Sequence, residues 1–177
     1  MDRWMTKEDL FRIPQEYMPM IVLSDNLRNI FSAGIKAHTN GCYGHMMILI
    51  APGVLASMQT NGFKRVLLKS FLDDDRLKLW WCPEWTDADR KKIMDEINRE
   101  LKRPWWQNCY DFLSYPGQLF NIHWLQVPGF DICSDKAKYL KLVDKDYDLE
   151  NPDPEQVNRW LEEHQPKYQV YGRYTPD

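Results

Sequence analysis

Cys133 and His45 are the residues of this 177-residue chain best suited by type and surroundings to covalent catalysis. Cys133 lies in Gly129-Phe130-Asp131-Ile132-Cys133-Ser134-Asp135, just ahead of an apolar run, Ala137, Leu140, Val143, at helical spacing. A glycine-bearing approach followed by Ser and Asp before such a run predicts a helix with a capped first turn. The thiol would then sit at a helix N-terminus. Backbone N–H groups and the positive end of the helix dipole stabilise an anion there, which favours the nucleophilic thiolate. A nucleophile needs a base, and the best candidate is His45, at the head of the apolar run Met46 to Ile50 that reads as a buried strand. The two stand far apart in sequence, so only tertiary folding can join them, in either chain order. Taken singly, each has a plainer role. A lone Cys is more often a small buried hydrophobe, and a lone His beside a strand more often a hydrogen-bonded core residue.

The elements that must position this pair follow from pattern. Met1 to Tyr17 reads as a short amphipathic lead-in, and Met20 to Leu23 as a brief strand. Ser24-Asp25 reads as the N-cap of a helix through Leu27, Ile30, Phe31 and Ile35, with His38 in its last turn, where the dipole alone accounts for it. His45–Ile50, Val54–Gln59 and Phe63–Leu68 form a meander with turns at Ala51-Pro52-Gly53 and Thr60-Asn61-Gly62, and Leu77–Trp81 adds a strand. Thr86 caps a long helix to about Lys102 with Ile93, Ile97 and Leu101 inward and Asp95 paired with Arg99 on the solvated face. Pro104 to Phe130 is aromatic and turn-rich and carries no assignable pattern. Pro154 to His164 reads as a helix bearing Val157, Trp160 and Leu161, and the tail from Pro166 as an edge strand or an arm that docks on a partner. The result is an α+β fold, an antiparallel meander packed against helices.

Composition bounds the rest. Length, 44% hydrophobic and 28% charged residues describe one ordinary globular domain spanning 1–177. A net charge of −3 leaves no electrostatic footprint for nucleic acid. The adjacent pairs Trp80, Trp81 and Trp105, Trp106 are expected to be mostly core. No apolar run is long enough for a membrane span, and Met1 to Phe11 lacks a signal-peptide pattern, so the expectation is a product made in the cytoplasm. Cys42, Cys82, Cys109 and Cys133 form no Cys-x-x-Cys pair and read as free thiols. His38, His45, His123 and His164 lack paired spacing, and Asp73-Asp74-Asp75 cannot converge on one ion from a regular element. No metal or cofactor is expected, and the acidic triplet reads as a solvated loop.

The order of these features resembles a known family. A short strand, a segment ending in Thr39-Asn40-Gly41, Tyr43-Gly44-His45 on a strand, Val54-Leu55-Ala56-Ser57, Gly62-Phe63 leading to Leu67-Leu68-Lys69-Ser70-Phe71-Leu72, a helix from Thr86, Tyr110-Asp111 and finally Ile132-Cys133-Ser134 are similar to the circularly permuted branch of the NlpC/P60 papain-like cysteine peptidases and amidases. That branch includes the YiiX-like enzymes and, more remotely, lecithin:retinol acyltransferase. The similarity covers about 19–143, leaving a lead-in, 1–18, and a C-terminal extension, 144–177, outside it.

The resemblance implies a permuted papain-like fold in which His precedes Cys. Cys133 resembles the nucleophile and His45 the general base of a cysteine amidase or endopeptidase acting on peptidoglycan stem peptides. Tyr110 falls where an aromatic near the oxyanion site would lie, or is simply core. The third, His-orienting position, Glu in YiiX-like chains, falls on Ala56, which cannot orient anything. Ser57 and Gln59 share one face of that strand, and the Gln59 amide is the preferred group to accept the imidazole N–H. Without a signal peptide, such a chain suggests a phage or prophage product, carried in a virion or released by other means. Two other functions remain open: a non-catalytic virion or tail module that keeps the fold and meets partners through the C-terminal extension, and a thiol acyltransferase or thioesterase.

Overall fold

The computed structural model describes residues 3–26, 41–59, 61–104, 136–140, 142–143, 147 and 152–176. The Ser24–Gly41 helix expectation therefore lies largely outside the described residues, as do Trp105, Trp106, Cys109, Tyr110, His123 and Cys133.

Six strands form one antiparallel sheet: β1 (Met20–Asn26), β2 (His45–Ala51), β3 (Val54–Gln59), β4 (Gly62–Leu67), β5 (Asp75–Trp81) and β6 (Gln169–Tyr174), in the order β4-β3-β2-β1-β5-β6. The described helices are α1 (Lys7–Phe11), α2 (Asp87–Glu100), α3 (Lys136–Tyr139) and α4 (Pro154–Glu163). The chain is thus α+β. The β2-β3-β4 meander is as expected, and Gly53 supplies the positive φ of 73° at its first turn, a conformation that costs a residue without Cβ little.

Pleating divides the core into two layers. Ile21, Leu23, Met46, Ile48, Ala56, Phe63 and Trp80 face α2, α3 and α4, meeting Ile93, Ile97, Ala137, Leu140, Val157 and Leu161. Val22, Met47, Leu49, Leu55, Leu77 and Leu79 face the N-terminal lead-in, which contributes Met5, Leu10, Ile13 and Met18. The adjacent tryptophans obey the two-residue period: Trp80 is fully buried on the helix side, while Trp81 packs on the other against Tyr17 and Tyr171.

Three local expectations give way to tertiary pairing. Ser24 and Asp25 are strand residues: β1 continues through Asn26 because it is the centre of the sheet, with Ser24 paired to His45 on one side and to Leu77 on the other. The acidic triplet is not wholly solvated. Asp75 begins β5, is 2% exposed and accepts a 2.6 Å bond from Asn26 Nδ2. On α2, capped by Thr86 as expected and with Asp89 completing a capping box, Arg99 pairs with Glu96 rather than with Asp95.

The C-terminal region belongs to this fold. Asp153 caps α4 through Gln156, and β6 completes the sheet beside β5, burying Tyr168, Val170 and Tyr174. Of the two readings of the tail, edge strand and docking arm, the chain adopts the edge strand, and its aromatic residues are largely consumed inside.

Candidate functional site

His45 is the first residue of β2, at the end of the sheet where β1 and β3 finish and β4 and β5 begin. Three contacts fix how the chain enters this strand. Gly44 N–H donates to Ser24 C=O at 3.0 Å, and Cys42 and Tyr43 N–H donate to Glu155 Oε2 of α4 at 2.7 and 3.3 Å. Glu155 lies so close to Gly41 that a Cβ there would overlap its side chain. Burial pushes the Tyr43 hydroxyl pKa up, keeping it protonated.

The imidazole meets a polar chain supplied by β3. His45 Nε2 is 2.8 Å from Ser57 Oγ, and Gln59 Nε2 donates to the same oxygen at 2.7 Å. The register explains why Ser57 is the contact. Met47 faces Ser57, so His45, two residues earlier, is its diagonal neighbour. The expectation that Gln59 itself receives the imidazole N–H is corrected: Ser57, fully buried, takes that place, and Gln59 orients Ser57 from behind. Ala56, on the opposite side of the pleat, is buried in the helix-facing core.

A hydroxyl has one proton and two lone pairs, so this chain has two polarities. With Gln59 Nε2–H donating to Ser57 Oγ, the Ser57 proton turns to His45 Nε2 and the imidazole keeps its own proton on Nδ1. In the other arrangement His45 Nε2–H and Gln59 Nε2–H both donate to Ser57 Oγ, one to each lone pair, the Ser57 proton turns away from the ring, and His45 Nδ1 carries the free lone pair. Only the second polarity makes His45 a base. His45 as a whole is half-buried, and the protein packed around its ring pushes its pKa down to about 4, because burial disfavours the imidazolium. It is neutral at pH 7 and a reluctant proton acceptor.

Cys133 lies outside the described residues, but the helix just downstream is placed. Lys136 opens α3 and is buried, with Nζ 2.9 Å from Glu100 Oε2, while Arg103 Nε lies 3.0 Å from Glu100 Oε1. The Lys136 ammonium stands 5.3 Å from the centre of the Phe63 ring, and Phe63 pairs with Met58 next to Gln59. The start of α3 is thus beside the same end of the sheet as His45. It is on the other face: Ala137 and Leu140 pack in the helix layer, whereas the pleat puts His45, Ser57 and Gln59 with Met47, Leu49 and Leu55.

Among the described residues no group of three His, Cys, Asp or Glu side chains is arranged to hold a metal ion, and no helix is long and apolar enough to cross a membrane. Cys42 is an exposed and Cys82 a buried free thiol; burial pushes the Cys82 pKa up, making it the less reactive thiol. A buried polar cluster escapes the sequence patterns: Lys78 of β5, 2% exposed, bonded to Asn158 and Glu162 of α4. Its one signal in sequence is a lysine inside a strand otherwise read as apolar. Comparison with known proteins finds no matching family model, no similar curated protein and no similar solved structure.

Proposed function

We propose that the chain is a cysteine hydrolase of permuted papain-like fold, cleaving amide bonds of the kind found in peptidoglycan stem peptides, with Cys133 as nucleophile and His45 as base. One observation carries this reading: an imidazole at the head of a strand, with one ring nitrogen fixed by a buried serine that a glutamine fixes in turn. On this reading the imidazole serves as the base and the serine as its orienting group, the roles such a mechanism needs. The likeness of the sequence to permuted NlpC/P60 chains adds the Cys133 motif and the substrate class.

In the reaction, the Cys133 thiol gives its proton to His45 Nδ1 and the sulfur attacks the amide carbonyl. The C–S bond forms, a tetrahedral oxyanion develops, and it collapses as the C–N bond breaks, with the imidazolium returning the proton to the departing amine. Water, deprotonated by His45, then attacks the thioester and releases the acid and the thiol. Backbone N–H groups at the helix start after Cys133 are the candidates for stabilising the oxyanion.

A second reading, a non-catalytic virion or tail module that keeps the fold, draws on two observations. The ring of His45 is held well below the range of an effective base at neutral pH, and α3 packs on the face of the sheet opposite to it. For catalysis, the segment before Lys136 has to bring the thiol round the end of the sheet.

Alkylation separates the two. Iodoacetamide labelling of each cysteine is followed by mass spectrometry from pH 4 to 9 in the wild type and in His45→Ala. A hydrolase predicts rapid labelling of Cys133 below the ordinary thiol pKa of about 8.5, slowed in the variant. Labelling of Cys133 no faster than that of exposed Cys42, and indifferent to His45, rejects catalysis.

A further inference from the structure

We propose that Glu155, in the first turn of α4, is a positioning residue for His45: its carboxylate clamps the chain that leads into β2 and so fixes where the imidazole stands. Glu155 lies in the C-terminal extension, outside the stretch similar to permuted NlpC/P60 chains, and 113 residues separate it from Cys42. Only the folded chain brings it to the site.

The register shows why the head of β2 needs a clamp. The β1–β2 pairing reaches His45, opposite Ser24, whereas the β2–β3 pairing starts at Met47, opposite Ser57. Among the described residues the His45 backbone is therefore laddered on the β1 side, and toward β3 its contact is made by the ring, 2.8 Å from Ser57 Oγ. Just upstream, three consecutive N–H groups are held: those of Cys42 and Tyr43 by Glu155 Oε2, at 2.7 and 3.3 Å, and that of Gly44 by Ser24 C=O, at 3.0 Å. Hydrogen bonds to a carboxylate are about twice as strong as neutral ones, which makes Glu155 the firmest of these anchors. The carboxylate is itself held in place. Glu155 is 8% exposed, and its Oε1 accepts a 3.4 Å bond from Asn158 Nδ2 and lies 3.7 Å from Arg159 Nε. Gly41 has a φ outside the left-handed region, so what it supplies is room, since a Cβ there would overlap the Glu155 side chain.

The effect of the clamp on the imidazole follows from burial. Protein packed around the ring keeps it neutral down to about pH 4. A strand head free to lift lets water reach the ring, and its midpoint then moves back toward 6.5. For a base, a misplacement of about 1 Å costs about a hundredfold in rate. That last consequence rests on the hydrolase reading, whereas the hold of Glu155 on the ring does not.

The test compares the full chain with Glu155→Ala, Glu155→Gln and Gly41→Ala, by NMR titration of the His45 Cε1–H and by hydrogen exchange at the Cys42 and Tyr43 amides. In Glu155→Ala, exchange at both amides is expected to quicken by about tenfold or more, as loss of a charged hydrogen bond does, and the midpoint to rise by about one pH unit or more. Glu155→Gln keeps an oxygen for the two N–H groups and is expected to recover most of both. Gly41→Ala is expected to reproduce Glu155→Ala, because the new Cβ drives the carboxylate away. A midpoint unchanged in folded Glu155→Ala would overturn the proposal even with faster exchange, since the clamp would then serve local stability alone. Should Glu155→Ala not fold, Gly41→Ala decides, and an unchanged midpoint there is equally fatal. The His45-dependent part of Cys133 alkylation is expected to fall in the same variants. If Cys133 is indifferent to His45 already in the wild type, the hydrolase reading fails, while the titration still judges the clamp.

Discussion

Acidification from pH 7.5 to 4 is expected to remove folding free energy through His45, by an amount its surroundings set. Burial holds the imidazole at about 4 in the folded chain, against a starting value of 6.5. Between those values the unfolded chain takes up a proton that the folded chain refuses, so stability falls as the pH falls. The contribution is fully present above 6.5, is lost progressively toward 4 and levels off below it. At about 1.4 kcal/mol per pKa unit, the whole loss is about 3 kcal/mol. Asp75 and Asp153, whose carboxyls burial pushes up, titrate with the opposite sign, so the quantity to measure is the difference between the wild type and His45→Gln. Urea unfolding at half-unit steps should show the wild type losing about 3 kcal/mol more than the variant across this range. The His45 Cε1–H resonance should titrate with a midpoint below 5. A difference that does not vary with pH, or a midpoint at or above 6.5, would refute burial as the dominant influence. A raised midpoint has a further meaning: a thiolate in contact with the ring holds it as imidazolium, so that result would point to a Cys133–His45 ion pair.

Ser57→Ala removes a fully buried oxygen that both His45 and Gln59 use, and is expected to cost about 1–3 kcal/mol in urea unfolding. Combined with Gln59→Leu the loss should be less than the sum of the two; strict additivity would show that the three side chains do not act as a chain. Asp75→Asn keeps an oxygen for Asn26 and removes a charge that burial disfavours. Because the folded carboxyl titrates above its unfolded value, its cost appears as pH rises through that range, so the variant should be more stable at pH 7 and equal to wild type near pH 3; a variant less stable at pH 7 contradicts this. Deleting 167–177 strips β6 from β5 and removes the buried Tyr168, Val170 and Tyr174, so cooperative thermal unfolding by circular dichroism should be lost. A truncated chain that unfolds as the full one does would return the tail to the role of a docking arm.

The meander, α2 and α4 are legible in the sequence because their signals are local. Short apolar runs with Gly53 and Gly62 at the turns set β2 to β4, and the capping boxes of Thr86 with Asp89 and Asp153 with Gln156 start the helices. His45 at the head of β2 and the shared face of Ser57 and Gln59 follow from the two-residue period of a strand. Local signals fail where a second strand or helix supplies the deciding energy. Ser24-Asp25 has the composition of a helix cap, yet two flanking ladders draw it into the central strand. Asp75 and Lys78 have the composition of surface residues, and tertiary partners, among them Asn26 from β1 and Asn158 and Glu162 from α4, hold them inside. The choice between Ser57 and Gln59 as the partner of His45 rests on the diagonal of the β2–β3 register. A pattern within one strand cannot contain that, because register is fixed jointly by two strands and the turn between them.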